Sequence, residues 1–205
     1  MKRIFGLLMA LVMVIGLSMP AHATLFLRGT DTLGNQLIYD DDLNITWYDY
    51  TRSIDIWQNQ VDWAAGLSVN FGSTTYDDWR LPTALNQDGS GPCFGYDCTG
   101  SEMGHLYYTE LGNLGGIYWF QNTGEFNNLQ VGIYGSGTEY APLTDFAWAF
   151  YFTTGYQYAD FKPNYFNALA VRPGDVSTSV PEPATLLLLG LGLAGLAVFR
   201  KRFKA

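Results

Sequence analysis

The sequence predicts an α+β fold, because two helical patterns come early in the chain and strand patterns dominate its second half. Apolar residues recur every three or four positions over residues 53–67 and 101–111, which is the spacing of amphipathic helices. From residue 147 onward, short aromatic and apolar runs alternate with turn residues, as in strands. Residues 24–180 are enough chain for one hydrophobic core.

The strands are expected in two groups, separated by the helices. Each is a short apolar or aromatic run bounded by glycine, asparagine, aspartate or proline. The first group comprises residues 25–28, 36–39 and 45–48, and the second comprises residues 147–152, 156–161 and 167–172.

Each predicted helix has its own start and stop signals. Ser53 can cap the helix over residues 53–67, and Gly66 lies close to its end. Ser101 is the candidate cap of the helix over residues 101–111. Its expected buried face is formed by Met103, Leu106, Tyr107 and Leu111.

The N-terminus has the three parts of a secretory signal. Lys2 and Arg3 precede an apolar stretch, and Ala21 and Ala23 are the small residues that a signal peptidase recognises. We therefore expect residues 1–23 to be a signal peptide that signal peptidase removes after Ala23. The alternative, an N-terminal membrane anchor, does not account for the small residues.

The C-terminus predicts a short membrane anchor. Residues 184–199 are apolar, which is 16 positions against the roughly 20 that usually span a bilayer. The basic tail, residues 200–205, includes Arg200, Lys201 and Arg202 and is expected on the cytoplasmic side. A linker begins at residue 176, and Pro181, Glu182 and Pro183 precede the apolar run. A buried core helix is the alternative reading of this run.

The intervening region is strongly acidic. Residues 24–180 contain 18 acidic and 5 basic residues, a net charge of −13. This charge argues against nucleic acid and anionic lipid as partners, while neutral polysaccharides and divalent cations remain compatible. Cys93 and Cys98 are the only cysteines, and in an exported chain we expect them to form a disulfide.

Two known families resemble successive parts of the chain. "WQNQVDWAAGL", "DDWRLPTALN", "GSEMGHLYYTELGN" and "AWAFYFTTGYQ" resemble the DUF1566 family, also called the Lcl C-terminal domain, and the likeness extends over residues 24–175. "VPEPATLLLLGLGLAGLAVFRKR" resembles the PEP-CTERM sorting signal. The form that the chain resembles most is the one found in PEP-CTERM proteins of Gram-negative bacteria.

The resemblances carry implications for fold and fate. The DUF1566 likeness implies a domain related to C-type lectins and formylglycine-generating enzymes, with two helices and small antiparallel sheets. The PEP-CTERM likeness implies a single-pass inner-membrane precursor that an exosortase, a membrane transpeptidase, cuts at Pro181, Glu182 and Pro183. The protein would then reach the cell surface or extracellular matrix, in association with exopolysaccharide.

A cation site is one functional hypothesis. Asp40, Asp42 and Asn44 have the alternating oxygen spacing of a calcium loop. An EF-hand is excluded, because Ile45 stands where it needs glycine and Thr51 where it needs glutamate. A looser Ca²⁺ site and a solvated acidic turn both remain open.

Catalysis has weaker support in the sequence. Glu102 and His105 are one helical turn apart and can in principle share a proton, but no catalytic motif surrounds them. Arg80 is expected to form an ion pair, with ligand binding as the alternative. We therefore expect a non-catalytic protein without a cofactor, apart from the possible Ca²⁺. An envelope enzyme acting on polysaccharide is the alternative.

Carbohydrate binding is the second functional hypothesis. Five aromatic residues of the second half can stack on sugar rings, namely Trp148, Tyr151, Tyr156, Tyr158 and Tyr165. Of these, Trp148, Tyr156 and Tyr158 are singled out as candidate ligand-binding residues. The alternative is that the strands bury half of these aromatic side chains in the sheet.

Overall fold

The computed structural model describes residues 25–117 and 122–176, which are organised around one large β sheet. Its strands are β1 (Leu25–Thr30), β2 (Gln36–Asp40), β3 (Ile45–Ile56), β6 (Ile133–Glu139), β7 (Phe146–Tyr151), β8 (Tyr156–Phe161) and β9 (Tyr165–Pro173). A separate hairpin consists of β4 (Val69–Phe71) and β5 (Thr74–Tyr76).

The seven strands are ordered β1-β2-β3-β9-β6-β7-β8. Neighbouring strands are antiparallel except β6 and β9, which run parallel and make the sheet mixed. The long strands β3 and β9 lie at its centre and pair from Ile45 with Pro173 to Ile56 with Tyr165. The prediction of small antiparallel sheets is therefore wrong for the main sheet, which has seven strands and is mixed.

Each face of the sheet carries its own hydrophobic cluster, because successive side chains of a strand point to opposite faces. Leu37 and Ile38 are neighbours in β2, yet they belong to different hydrophobic clusters. Trp47 and Tyr48 divide in the same way, as the two-residue period of a strand requires. One face packs against the first helix through Ala64, and the other packs against the second helical segment.

The first helix, α1, covers Trp57–Ala65 and starts later than the sequence predicted. Ser53 lies in β3, so its predicted role as the helix cap is wrong. Pairing of β3 with β9 continues to Ile56, and this long-range pairing outweighs the local helical pattern.

The second helical segment agrees better with prediction. Helix α2 (Glu102–His105) begins after Ser101, whose Oγ accepts a hydrogen bond from the Gly104 amide at 3.1 Å. A π-helical turn, Leu106–Glu110, continues it. The four residues expected on its buried face, Met103, Leu106, Tyr107 and Leu111, are all buried.

The six predicted strands are present, but β4, β5 and β6 were missed. Strand β6 contains Gly135 and Gly137, and glycine is unfavourable in strands. The structure shows why glycine lies there: Gly137 approaches the backbone of Leu81 and donates a hydrogen bond to the Pro82 carbonyl at 2.8 Å. Close backbone approach of this kind favours a residue without a side chain.

Within the described residues, no helix is long and apolar enough to span a bilayer. The predicted spanning segment, residues 184–199, and the predicted signal peptide, residues 1–23, lie outside the described part of the chain.

Candidate functional site

A disulfide-closed loop docks on the outer edge of the sheet. Cys93 and Cys98 are joined by a disulfide, and Gly95 between them pairs with Gln157 of β8 through two backbone hydrogen bonds of 2.8 Å. The Gln157 side chain adds a third bond, from Nε2 to the Cys93 carbonyl at 2.8 Å. The loop therefore covers part of the edge strand, which would otherwise offer unpaired backbone groups.

The loop brings two aromatic side chains onto the sheet edge. Phe94, which is 63% exposed, has its ring centroid 6.1 Å from Trp148 and 5.8 Å from Tyr156, in edge-to-face geometry. Tyr96 lies closer, 4.8 Å from the ring of Tyr156. Such pairs fix ring orientation and contribute roughly 0.5–1.5 kcal/mol each beyond buried area. The loop and β8 thus form one aromatic surface.

An open groove of about 280 Å³ runs along this surface and is called here the tyrosine groove. It is lined by Tyr96, Tyr151, Thr154, Tyr156 and Tyr158. Burial, together with the nearby Asp160 carboxylate, raises the pKa of Tyr158. The Tyr158 hydroxyl donates a hydrogen bond to Asp160 Oδ2 at 3.3 Å.

The three aromatic residues singled out in the sequence do not lie together. Tyr156 and Tyr158 line the tyrosine groove, whereas Trp148 is only 6% exposed and has no free ring face. In the β7–β8 register Trp148 pairs with Ala159, so it occupies the face opposite to Tyr158. Trp148 instead packs edge-to-face against the Phe94 ring. Tyr96 was missed as a groove residue, because no local pattern shows that the disulfide loop docks on β8.

The predicted ion pair of Arg80 forms with Glu102. Two hydrogen bonds of 2.8 and 2.6 Å join the guanidinium to the carboxylate, which also accepts a bond from the Thr83 amide at 2.7 Å. Trp79 beside it is buried in the core. Because Glu102 is engaged in this way, it does not pair with His105, and the proton-sharing pair considered from the sequence is not formed.

His105 lies instead against a different set of carboxylates. Its Nε2 is 3.2 Å from Glu110 Oε1 and 3.8 Å from Asp42 Oδ2. Asp40, His105 and Glu110 each present a potential metal-ligand atom, and these atoms lie within 4.8 Å of one another; we call this set the buried cluster. The sequence missed Glu110, since an α-helix would turn it away from His105.

The predicted calcium residues are separated by this arrangement. Asp40 is fully buried and accepts hydrogen bonds from the Leu43 amide and from Trp47 Nε1. The Asn44 side chain accepts a bond from the Tyr39 hydroxyl at 3.0 Å, which directs its oxygen to a different partner. Asp42 lies near the buried cluster, with its Oδ2 3.8 Å from His105 Nε2.

Electrostatics in the cluster follow from its burial. Burial raises the pKa of Asp40 to about 6, against the lowering effect of its two hydrogen bonds. Burial alone would lower the pKa of His105, but the hydrogen bond with Glu110 and the surrounding carboxylates outweigh it and raise that pKa. The site therefore favours positive charge.

Comparison with known protein families identifies one segment of the chain. Residues 179–202 match the family model of the PEP-CTERM protein-sorting motif. The motif indicates an exported protein that is membrane-anchored before an exosortase processes it. No curated protein and no solved structure gives a significant match.

The match covers the C-terminal segment only, so the likeness of residues 24–175 to DUF1566 stays a prediction. The match includes the predicted processing residues, which are Pro181, Glu182, Pro183, Arg200, Lys201 and Arg202, but they lie outside the described residues. The predicted signal-peptidase residues Ala21 and Ala23 lie outside both the match and the described residues.

Proposed function

We propose that this exosortase-targeted protein is a non-catalytic binding protein that holds a neutral polysaccharide in the tyrosine groove. The observation that supports this most directly is the groove itself, which is open and lined by four tyrosines and Thr154. Aromatic rings offer apolar faces to sugar C–H groups, while their hydroxyls supply hydrogen bonds.

The charge and shape of the groove favour this class of ligand. The described residues that line it include no lysine or arginine, and the region as a whole carries a net charge of −13. Acidic polymers would be repelled, whereas neutral glycans carry no such penalty. The disulfide and the Gly95–Gln157 pairing hold Tyr96 in place, which lowers the entropy lost on binding.

Binding is favoured over hydrolysis by the absence of an acid pair in the groove lining. Glycosidases place two carboxyl groups roughly 5–9.5 Å apart across the scissile bond. None of the described residues that line the groove is acidic. The nearby Asp160 carboxylate already accepts hydrogen bonds from the Tyr158 hydroxyl, the Asn164 side chain and the Phe161 amide. The alternative function, an envelope enzyme acting on polysaccharide, therefore has less support.

Export and anchoring supply the setting for such binding. We propose that the signal peptide, residues 1–23, directs export and that the released protein reaches the surface or matrix of a Gram-negative cell. The DUF1566 and lectin-like likeness of residues 24–175 is consistent with a binding role but carries little weight alone. An exopolysaccharide is the polymer that this setting would offer.

A glycan array tests the proposal with the full-length chain in mild detergent. Neutral, acidic and amino-sugar glycans are probed with and without Ca²⁺, and bound glycans are then assayed for newly released reducing ends. We expect retention of neutral glycans without release. Release of reducing ends, or retention confined to acidic glycans, would contradict the proposal.

A further inference from the structure

The buried cluster has an unusual structural origin. In the π-helical turn Leu106–Glu110, the Leu111 amide bonds the Leu106 carbonyl at 3.0 Å, five residues back. Residues five apart thereby become neighbours along the helix face, as His105 and Glu110 are. In an α-helix, residues three or four apart would be neighbours instead. Such π-helical turns are rare and occur frequently at functional sites.

Charge balance in the cluster calls for a cation. Asp40 is fully buried and the Glu110 side chain is 1% exposed, while Asp42 adds a third carboxylate 3.8 Å from His105. Among the described residues, no lysine or arginine forms an ion pair with any of these three. Buried charges in proteins are normally paired or coordinate a metal. Asp42 is 46% exposed and therefore solvated, so the buried carboxylates are Asp40 and Glu110, and one imidazolium offsets only one of their two negative charges.

The donor set fits a particular class of ion. One imidazole nitrogen with two carboxylate oxygens suits Zn²⁺ and similar first-row divalent ions, whereas Ca²⁺ takes six to eight oxygen ligands. In the tetrahedral geometry of zinc, two ligand atoms about 2.1 Å from the ion lie roughly 3.4 Å apart. The ligand atoms of the cluster lie within 4.8 Å of one another, so small side-chain rotations bring them to one ion.

The Asp40 carboxylate is held by hydrogen-bond donors, and the cluster borders a cleft that is open to solvent. The Leu43 amide and Trp47 Nε1 donate to the Asp40 carboxylate at 3.0 and 3.3 Å, which orients it as donors orient metal-bound carboxylates elsewhere. His105 lines an open polar cleft of about 500 Å³ together with Thr109 and Asp88. An ion can reach the cluster from this cleft.

We propose that Asp40, His105 and Glu110 form a binding site for a divalent transition-metal ion of the zinc type, with Asp42 or water completing the coordination. The ion would tie the end of β2 to the π-helical turn, and so stabilise the packing of that turn on one face of the sheet. This site does not depend on the tyrosine groove or on its ligand.

The test uses the full-length chain, purified without a histidine tag, stripped with chelator and titrated with Zn²⁺, Mn²⁺, Co²⁺ and Ca²⁺ by calorimetry. We expect one Zn²⁺ per chain, with a visible Co²⁺ spectrum and weaker Ca²⁺ binding. Both cysteines are in the disulfide, so no thiolate competes. Zinc should also raise the melting temperature, because an ion that binds the folded state stabilises it.

Variants locate the site. His105→Ala and Glu110→Gln should each weaken zinc binding about 100-fold or more, which is more than the loss of a hydrogen bond to a metal ligand costs. Asp88→Asn is the control, since Asp88 lines the same cleft but lies outside the cluster. The proposal is overturned if the unaltered chain binds none of the three transition ions below 100 μM, or if the two variants bind zinc as the control does.

Discussion

Replacing Gly104 by alanine is expected to destabilise the protein, although alanine is the better helix former. Gly104 lies in α2, where its amide bonds the capping Ser101. An added Cβ would overlap the carbonyl oxygen of Cys98, which is backbone and is held by the disulfide. The helix and the disulfide loop therefore depend on glycine at this position.

The two opposing effects can be compared in size. Glycine to alanine in a helix interior gains about 1 kcal/mol of intrinsic propensity. Overpacking a close contact costs about 1–3 kcal/mol, and more where rigid backbone must move. We expect a net loss of about 2 kcal/mol, which lowers the melting temperature by roughly 4–8 °C in a chain of this size.

Thermal and urea denaturation of the full-length chain measure this loss. Gly91→Ala is the matched control, because a Cβ there meets open space and should leave stability nearly unchanged. If Gly104→Ala melts at or above the temperature of the unaltered chain, the packing of α2 against the disulfide loop is not as described.

Two further predictions concern the loop and the tail. Replacing Cys93 and Cys98 by serine opens a loop of sequence separation 5, which should cost about 2 kcal/mol and weaken polysaccharide binding through Tyr96. Urea denaturation and glycan retention measure both effects, and unchanged retention would show that the loop does not shape the groove. Replacing Pro181, Glu182 and Pro183 by alanine should leave a full-length, membrane-held chain in a host with an exosortase. Immunoblotting of membrane and released fractions decides this, and a processed product would contradict the assigned cleavage motif.

The sequence predicted those elements whose local pattern and tertiary setting agree. Ser101 caps a helix and Met103 lies on its buried face, because capping and periodicity are local properties. Residues 53–56 fit a helical pattern, but they lie in β3, where Asp55 and Ile56 pair with β9. This was missed because partners more than 100 positions away are invisible to local reasoning. Strand β6 was missed because it contains Gly137, a residue unfavourable in strands that is needed here for close approach to the Leu81 backbone.

The candidate sites were predicted only in part, for the same reason. Asp40 was recognised as a potential ligand, but its neighbours come from a π-helical turn that no spacing rule anticipated. Tyr156 and Tyr158 follow strand alternation, whereas Tyr96 reaches them through a loop that docks on the sheet edge. Sites assembled from distant segments require the fold.

Affinity electrophoresis of the Tyr156→Ala variant tests the central claim most directly. The full-length chain is run through gels containing a neutral β-glucan, a neutral mannan or an acidic alginate, beside Tyr165→Ala, a tyrosine that is 66% exposed outside the groove. Loss of one stacking ring should cost about 1.4 kcal/mol, a tenfold fall in affinity. We predict retardation by a neutral polysaccharide that Tyr156→Ala weakens and Tyr165→Ala retains. Absence of retardation in both neutral gels, or equal retardation of the two variants, would contradict the account.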